Sequence, residues 1–430
     1  MNAYKKSSIW IATLLLMVGV ACNRNEEPYF SSSSTDNFAL ASTDTTIVIK
    51  IASNTAWTLT SDAAWCVPQA TMGTGDAEVA VSVTANDEQG ERAATLTLNC
   101  AEVAFTRLIK VAQQRLTPDA STKYRLPVVF HVLYKSSTNK QQNIVKGHLS
   151  TLIDAVNDIY ANCGEELGLE FVMATHEPEG NVMEEPGVDR HQIKEEKLNS
   201  STFMRSEKNN QYMWDPNRYV NIFVYTFEDK GILGISQFPY VIKPHALEGL
   251  AELEYDAPWT ELPRPQCVSI NNEYIYSHEA YYTITDVVNT LAHELGHFLG
   301  LRHAFSEDTE TYERDVCIDS DFCTDTPTYN KAAYDQLMQA YMASGGIVDN
   351  DEKELLMMRE DCETGEEFRS TNIMDYAYSE ANRFTPQQAA RIRYVLEHSP
   401  YIPGPKIRLP EQMPTTKATR VNQYELRMFE

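Results

Sequence analysis

Residues 293–303 read HELGHFLGLRH. His293 and His297 stand four apart, so on an α-helix their imidazoles leave one face a turn apart and can share a cation. Val287, Leu291, Leu295 and Phe298 supply an apolar face able to bury that helix. Gly300 lies three beyond His297, where glycine can take a left-handed conformation and end the helix. The chain can then turn and return His303 to the same ion. Three neutral imidazoles leave a fourth position open, the pattern of a catalytic rather than a structural zinc site.

Glu294 stands beside the first ligand and is not expected to bind the metal. Its carboxylate is placed to take a proton from a zinc-activated water and pass it to a departing amine. The combination reads as a zinc-dependent endopeptidase acting on peptide bonds of extracellular or surface proteins. A bare HExxH occurs by chance; Gly300 and His303 make the pattern far more specific. The remaining histidines read differently. His131, in the run VVFHVLY, is expected to pack within a strand rather than to bind metal.

The composition agrees with an exported, folded chain. Its 430 residues suggest two or three domains, and 43% hydrophobic content fits core-forming segments. A formal net charge of −25 argues against nucleic acid as a partner, because phosphate binding needs a basic face. Lys5 and Lys6 precede an apolar run, Ile9 to Val20, that is too short to span a bilayer comfortably and is placed like a signal-peptide core. Gly19 and Ala21 then precede Cys22. That arrangement resembles the bacterial lipoprotein cleavage box, with Gly19 where an aliphatic residue is usual. It implies lipid on Cys22 and anchorage to the cell envelope, at the outer membrane or cell surface. A plain secretory signal with an incidental cysteine is the alternative. Seven further cysteines in an oxidising compartment allow two or three disulfides, whose pairing the sequence leaves open.

From about residue 36 to 115 short runs alternate apolar and polar residues, among them TTIVIKIAS, EVAVSVTA and ATLTLN, with turn signals between them. Period two with such spacing predicts an antiparallel β-sandwich. From Tyr124 the pattern becomes mixed. YRLPVVFHVLY reads as a strand, and NIVKGHLSTLIDAVNDIYAN carries helical spacing from Ile144 to Ile159. LEFVMAT, YVNIFVY and CVSINNEYIY read as further strands. Helices are expected near 285–299, 330–343 and 385–397. The expected fold class is therefore multidomain, an N-terminal all-β sandwich followed by an α+β peptidase domain. The divisions are a signal peptide at 1–21, a tether at 22–35, the sandwich at 36–115, a linker at 116–123, the peptidase at 124–402 and a polar tail at 403–430.

Two family resemblances sharpen this. Trp57, Trp65, GTG at 73–75, VSVTAN at 81–86, RAATLTL at 92–98 and VAQQ at 111–114 resemble the BACON modules of exported Bacteroidetes proteins. That likeness implies contact with glycan or mucin. Trp57 and Trp65 would then either stack on sugar faces or fill the sandwich core. The zinc motif followed by TNIMDY at 371–376 resembles the metzincin signature, with Met374 in the methionine turn. PVVFHVLY at 127–134, GILGISQFP at 231–239, DFCTDTP at 321–327 and FTPQQAARI at 384–392 extend the resemblance to the pappalysin (cytophagalysin-like) family.

The second resemblance implies several roles. Met374 would form the hydrophobic base beneath the zinc, and Tyr376 would reach the metal or the tetrahedral oxyanion, unless it merely packs. GILGISQFP would be the edge strand that pairs with extended substrate. Relatives bind calcium downstream, where Asp315, Asp319, Asp321 and Asp325 cluster, although a solvated acidic loop fits them equally. Cys317 and Cys362 fall where the family often has a disulfide, with Cys323 as a competing partner. Two other readings stand beside the enzyme. One is a binding protein with a vestigial zinc domain, which the intact Glu294 opposes. The other makes the sandwich a pro-domain, with Cys66 held on the zinc until cleavage.

Overall fold

The computed structural model describes residues 27–407, apart from 87, 89, 244, 279–285, 309–310, 312, 344–353 and 377. Residues 1–26, which hold the expected signal peptide and Cys22, and residues 408–430 lie outside the described residues. The chain divides into two compact units.

The first unit is all β. Strands β1 (Phe30–Ser32), β3 (Thr45–Ser53), β7 (Ala77–Val83) and β5 (Cys66–Pro68) form one sheet in that order. The other runs β2 (Asn37–Leu40), β9 (Phe105–Gln113), β8 (Arg92–Cys100), β4 (Ala56–Ser61), β6 (Met72–Thr74). Alternate residues point inward, as period two requires. Ile47, Ile49 and Ile51 are buried on β3, and Ala94, Leu96 and Leu98 on β8. β1 pairs with β3 through Phe30 and Ser53, so residues assigned to a tether already belong to a sheet. Their polar composition hid a short edge strand.

Trp57 is a core residue. It is 4% exposed, and its indole N–H donates to the Gly75 carbonyl at 3.0 Å. Its ring also fills the space where a side chain on Gly73 would stand. Trp65 is half-buried, and Cys66 is fully buried on β5.

The second unit is α+β. Its main sheet runs β11 (Leu169–Met173), β10 (Tyr124–Tyr134), β13 (Val220–Tyr225), β17 (Cys267–Asn271), β14 (Gly234–Ser236), with β12 (Val188–Gln192) also paired to β10. All pairs are parallel except β14 with β17. The central strands read as continuous apolar runs because both faces are covered. Helix α1 (His148–Ala161) and helix α3 (Val287–Phe298) share one buried cluster with Val128, Phe130, Ile222 and Val268. The expected helix start at Ile144 moves to His148, because Gly147 takes φ 85° there. Ile144 is buried all the same.

Several short elements carry no clear periodic signal in the sequence, among them α2 (Ser200–Met204), the parallel pair β15 (Tyr240–Ile242) and β16 (Ala251–Leu253), and the hairpin β18 (Met358–Glu360) with β19 (Glu367–Arg369). Helix α4 (Lys331–Ala343) and helix α5 (Pro386–His398) lie within a residue or so of the expected spans. Thr385 and Gln388 form a capping box at the start of α5, with Pro386 in the first turn. The first residues of the expected tail are packed. The Tyr124 hydroxyl donates to the Pro405 carbonyl at 3.0 Å, and Lys406 Nζ to the Leu396 carbonyl at 2.6 Å.

One disulfide, Cys317–Cys362, joins described residues, where two or three were expected. Cys100, Cys163, Cys267 and Cys323 are buried thiols. Cys163 and Cys267 belong to two apolar clusters of the second unit, as a free cysteine commonly does, while Cys100 Sγ lies 3.0 Å from the Thr55 hydroxyl.

Candidate active site

Helix α3 is held at both ends. Asp286 caps its start, accepting from the backbone N–H groups of Val288 at 2.8 Å and Asn289 at 3.0 Å. At the other end Gly300 takes φ 91°. Its N–H donates to the His297 carbonyl at 2.9 Å, and the Leu301 N–H donates to Gly296 at 3.0 Å. These two bonds are the Schellman closure, and they reverse the chain immediately after the helix. A side chain on Gly300 would also press on Val395 of α5. The turn brings His303 back to His293 and His297.

The three imidazoles converge through their Nε2 atoms. His293 Nε2 lies 3.0 Å from His297 Nε2, which lies 3.1 Å from His303 Nε2. His293 Nδ1 contacts the Ile373 carbonyl at 2.8 Å, and His297 Nδ1 the Leu301 carbonyl at 2.7 Å. A carbonyl only accepts, so both Nδ1 atoms carry the proton and both Nε2 atoms present bare lone pairs. Bare lone pairs in contact repel one another, and a cation between them relieves this. Burial holds His293 and His297 well below the usual imidazole range, so they are neutral, as metal ligands must be. The residues present therefore fit zinc.

Met374 is fully buried against the helix, its sulfur filling the place where a side chain on Gly296 would stand. Its carbonyl accepts from Ala304 N–H at 3.0 Å, which ties the methionine turn to the segment after His303. The Tyr376 hydroxyl lies 2.8 Å from His303 Nε2, at the face where the imidazoles meet. Burial pushes its phenol well above its ordinary value, so it remains a neutral donor.

Glu294 is 1% exposed, and among the described residues neither carboxylate oxygen has a hydrogen-bond partner. Burial pushes its carboxyl well up. It packs on Gly234 of β14, the strand at the end of the sheet in the GILGISQFP segment.

Sequence reasoning missed the support around His303. Glu307 Oε2 lies 3.4 Å from His303 Nδ1, and Arg314 Nε donates to Glu307 Oε1 at 3.1 Å. Burial alone would raise the Glu307 carboxyl, but His303 and Arg314 outweigh it and hold it down at about 2. Phe305 stacks on the His303 ring at 4.6 Å. Glu307 was one of 61 acidic residues, and only its place four beyond His303 could have marked it. The four downstream aspartates do not gather. Asp315 accepts from Asn330 and Asp325 from Gln387 N–H, at 3.0 and 2.9 Å, while Asp321 is buried beside Asp319. Among the described residues no three of them bring ligand atoms together.

Residues 203–397 match the family model described as pregnancy-associated plasma protein-A, a peptidase family. Residues 55–114 match the BACON model, described as a putative N-terminal binding domain. This chain is therefore similar to pappalysin-type peptidases over residues 203–397 and to BACON domains over residues 55–114. It is a zinc-dependent, metzincin-like metalloendopeptidase. An extracellular metalloprotease of Arthroderma benhamiae is 26% identical over 293 residues, covering 68% of this chain and 84% of that protein. The extracellular metalloprotease of Trichophyton verrucosum gives the same values. Mature mirolysin of Tannerella forsythia, solved with a cleaved peptide, is 23% identical with a TM-score of 0.41, covering 64% of this chain and 91% of that one. A promirolysin mutant from the same organism is 22% identical with a TM-score of 0.43, covering 66% and 84%. Neither structural likeness is close enough to carry an argument.

Proposed function

We propose that this metallopeptidase cleaves peptide bonds of extracellular or surface proteins, with His293, His297 and His303 holding the zinc and Glu294 as general base and acid. The observation that carries the reading is the convergence of three Nε2 atoms beside a buried carboxylate that has no hydrogen-bond partner among the described residues. His293, His297 and His303 would hold the zinc, which would supply an acidified water and polarise the scissile carbonyl. Glu294 takes the proton from the attacking water, because no competing donor among the described residues occupies its oxygens. The same carboxyl then delivers that proton to the departing amine, so the base is regenerated each turnover. The Tyr376 hydroxyl donates to the oxyanion as it develops. Met374 holds the floor of the site. An extended peptide pairing with β14 through its main chain would cross Glu294 at Gly234. The test is cleavage of an unfolded protein by the full chain, its loss on chelation and its return with zinc. Cleavage that survives complete zinc removal would overturn the reading.

The proposal also places the protein outside the cytoplasm, anchored by lipid on Cys22. Its support is the basic and apolar N-terminal run and the extracellular relatives. Metabolic labelling with a fatty acid, lost in Cys22→Ala, tests the anchor. Glycan or mucin contact through the BACON domain has Trp65 as its candidate platform, since Trp57 is spent on the core. Calcium on the acidic loop has the Asp319–Asp321 contact as its support. A pro-domain role acting through Cys66 is opposed by the burial of that thiol inside the sandwich.

A further inference from the structure

A second cluster of metal-ligating side chains stands on β10 and β12. His131 and Asp189 are register partners on these parallel strands, and His191 is two residues beyond Asp189, on the same face. His131 Nδ1 lies 3.2 Å from Asp189 Oδ2, and His191 Nε2 lies 2.8 Å from the same oxygen. His131 is fully buried, while Asp189 and His191 are about a quarter exposed at their side chains (24% and 28%).

The protonation of His131 is dictated by Asn221. The Asn221 amide nitrogen donates to the carbonyls of Trp214 at 3.0 Å and Tyr219 at 3.2 Å. Its oxygen accepts the Trp214 N–H at 2.8 Å. That oxygen also lies 2.8 Å from His131 Nε2, so Nε2 must be the N–H donor. A neutral His131 therefore turns the bare lone pair of Nδ1 toward an ionised carboxylate. Two acceptors at that distance need a cation between them.

We propose that His131 Nδ1, Asp189 and His191 Nε2 bind a second divalent transition metal, zinc by ligand type, distinct from the ion at His293. Two imidazoles and one carboxylate are a ligand set that zinc accepts. All three ligand atoms lie within 4.8 Å of one another. Tetrahedral zinc bonds of about 2.0–2.1 Å place neighbouring ligands roughly 3.3–3.4 Å apart, a small relaxation from the two separations seen. A cavity of about 500 Å³ has Asp189, though neither histidine, on its wall. Glu177, Glu184, Glu185 and Asp189 line it against Lys146 and Arg190, a balance that draws cations. The ion would clamp β12 to the central strand β10, which β12 joins outside the main strand order.

The alternative occupant is a proton, giving a buried imidazolium paired with Asp189. Metal counting separates the two. Tag-free full-length protein is stripped by chelator, reloaded with excess zinc chloride, freed of unbound metal and analysed for zinc. The wild type should carry about two zinc ions per chain, and His191→Ala about one, with peptide hydrolysis retained. Asp189→Asn, a near-isosteric change, should also carry about one and guards against a folding defect in the first variant. One zinc in the wild type would overturn the proposal and assign the position to a proton. Two zinc ions in both variants would overturn it equally, by placing the second ion elsewhere.

Discussion

The side chain of Glu294 lies directly on the backbone of Gly234: a methyl group there would stand 2.6 Å from Glu294 Cγ and 2.8 Å from Oε1. A larger residue on this strand must therefore displace the proposed base. Gly234→Ala should retain zinc and lower kcat by about 10²-fold, the usual cost of moving a catalytic group by roughly 1 Å. Steady-state kinetics with zinc analysis checks it. Wild-type kcat would show that Glu294 either yields without consequence or is not the base.

Glu294→Ala leaves every proposed zinc ligand in place. Zinc should stay bound and the fold intact, while peptidase activity falls by at least about 10²–10⁴-fold. Added zinc should not restore it. A zinc-loaded variant with unchanged kcat would remove Glu294 from the mechanism.

Tyr376 offers its hydroxyl 2.8 Å from His303 Nε2. Tyr376→Phe keeps the ring packing against Phe305 but deletes the donor. The expected result is a loss of roughly 10²-fold in kcat with little change in zinc content. No change in kcat would mean that this tyrosine only packs.

Glu307 orients His303 from behind. Glu307→Gln should weaken zinc binding about 10- to 100-fold, the usual effect of losing a carboxylate partner behind a ligand histidine. Competition with a chelator of known affinity measures it. Equal affinity in the two proteins would reduce Glu307 to an ion-pair partner of Arg314.

Asp321 carries a pH dependence. Burial, with Asp319 adding to it, pushes its carboxyl up to about 8 from an ordinary 3.8. The folded state thus holds a proton that the unfolded chain has lost. Stability from this group is greatest below the unfolded value and declines as pH rises from about 4 toward 8. Urea unfolding of Asp321→Asn should show a shallower decline over that window than the wild type. Identical slopes would rule the group out as the source.

What the sequence determined by itself was local. The spacing of His293, His297, Gly300 and His303 encodes a helix face, a left-handed stop and a returning ligand, all within eleven residues. Alternation in TTIVIKIAS and ATLTLN encodes strands buried on one face. These signals are legible because helical and strand periods are properties of the backbone. The tertiary structure alone decided what stands opposite. Gly234 reaches Glu294 from sixty residues away, Ile373 fixes the His293 tautomer from eighty, and Asn221 fixes that of His131 from ninety. No local period links such pairs. Trp57 could have faced sugar or core, and only the sandwich packing chose. His131 looked like an ordinary strand histidine because its partners, Asp189 and His191, come from a strand the sequence did not reveal. VDRHQ lacks the apolar alternation that marks a strand, and it is held in the sheet by backbone pairing with β10 instead.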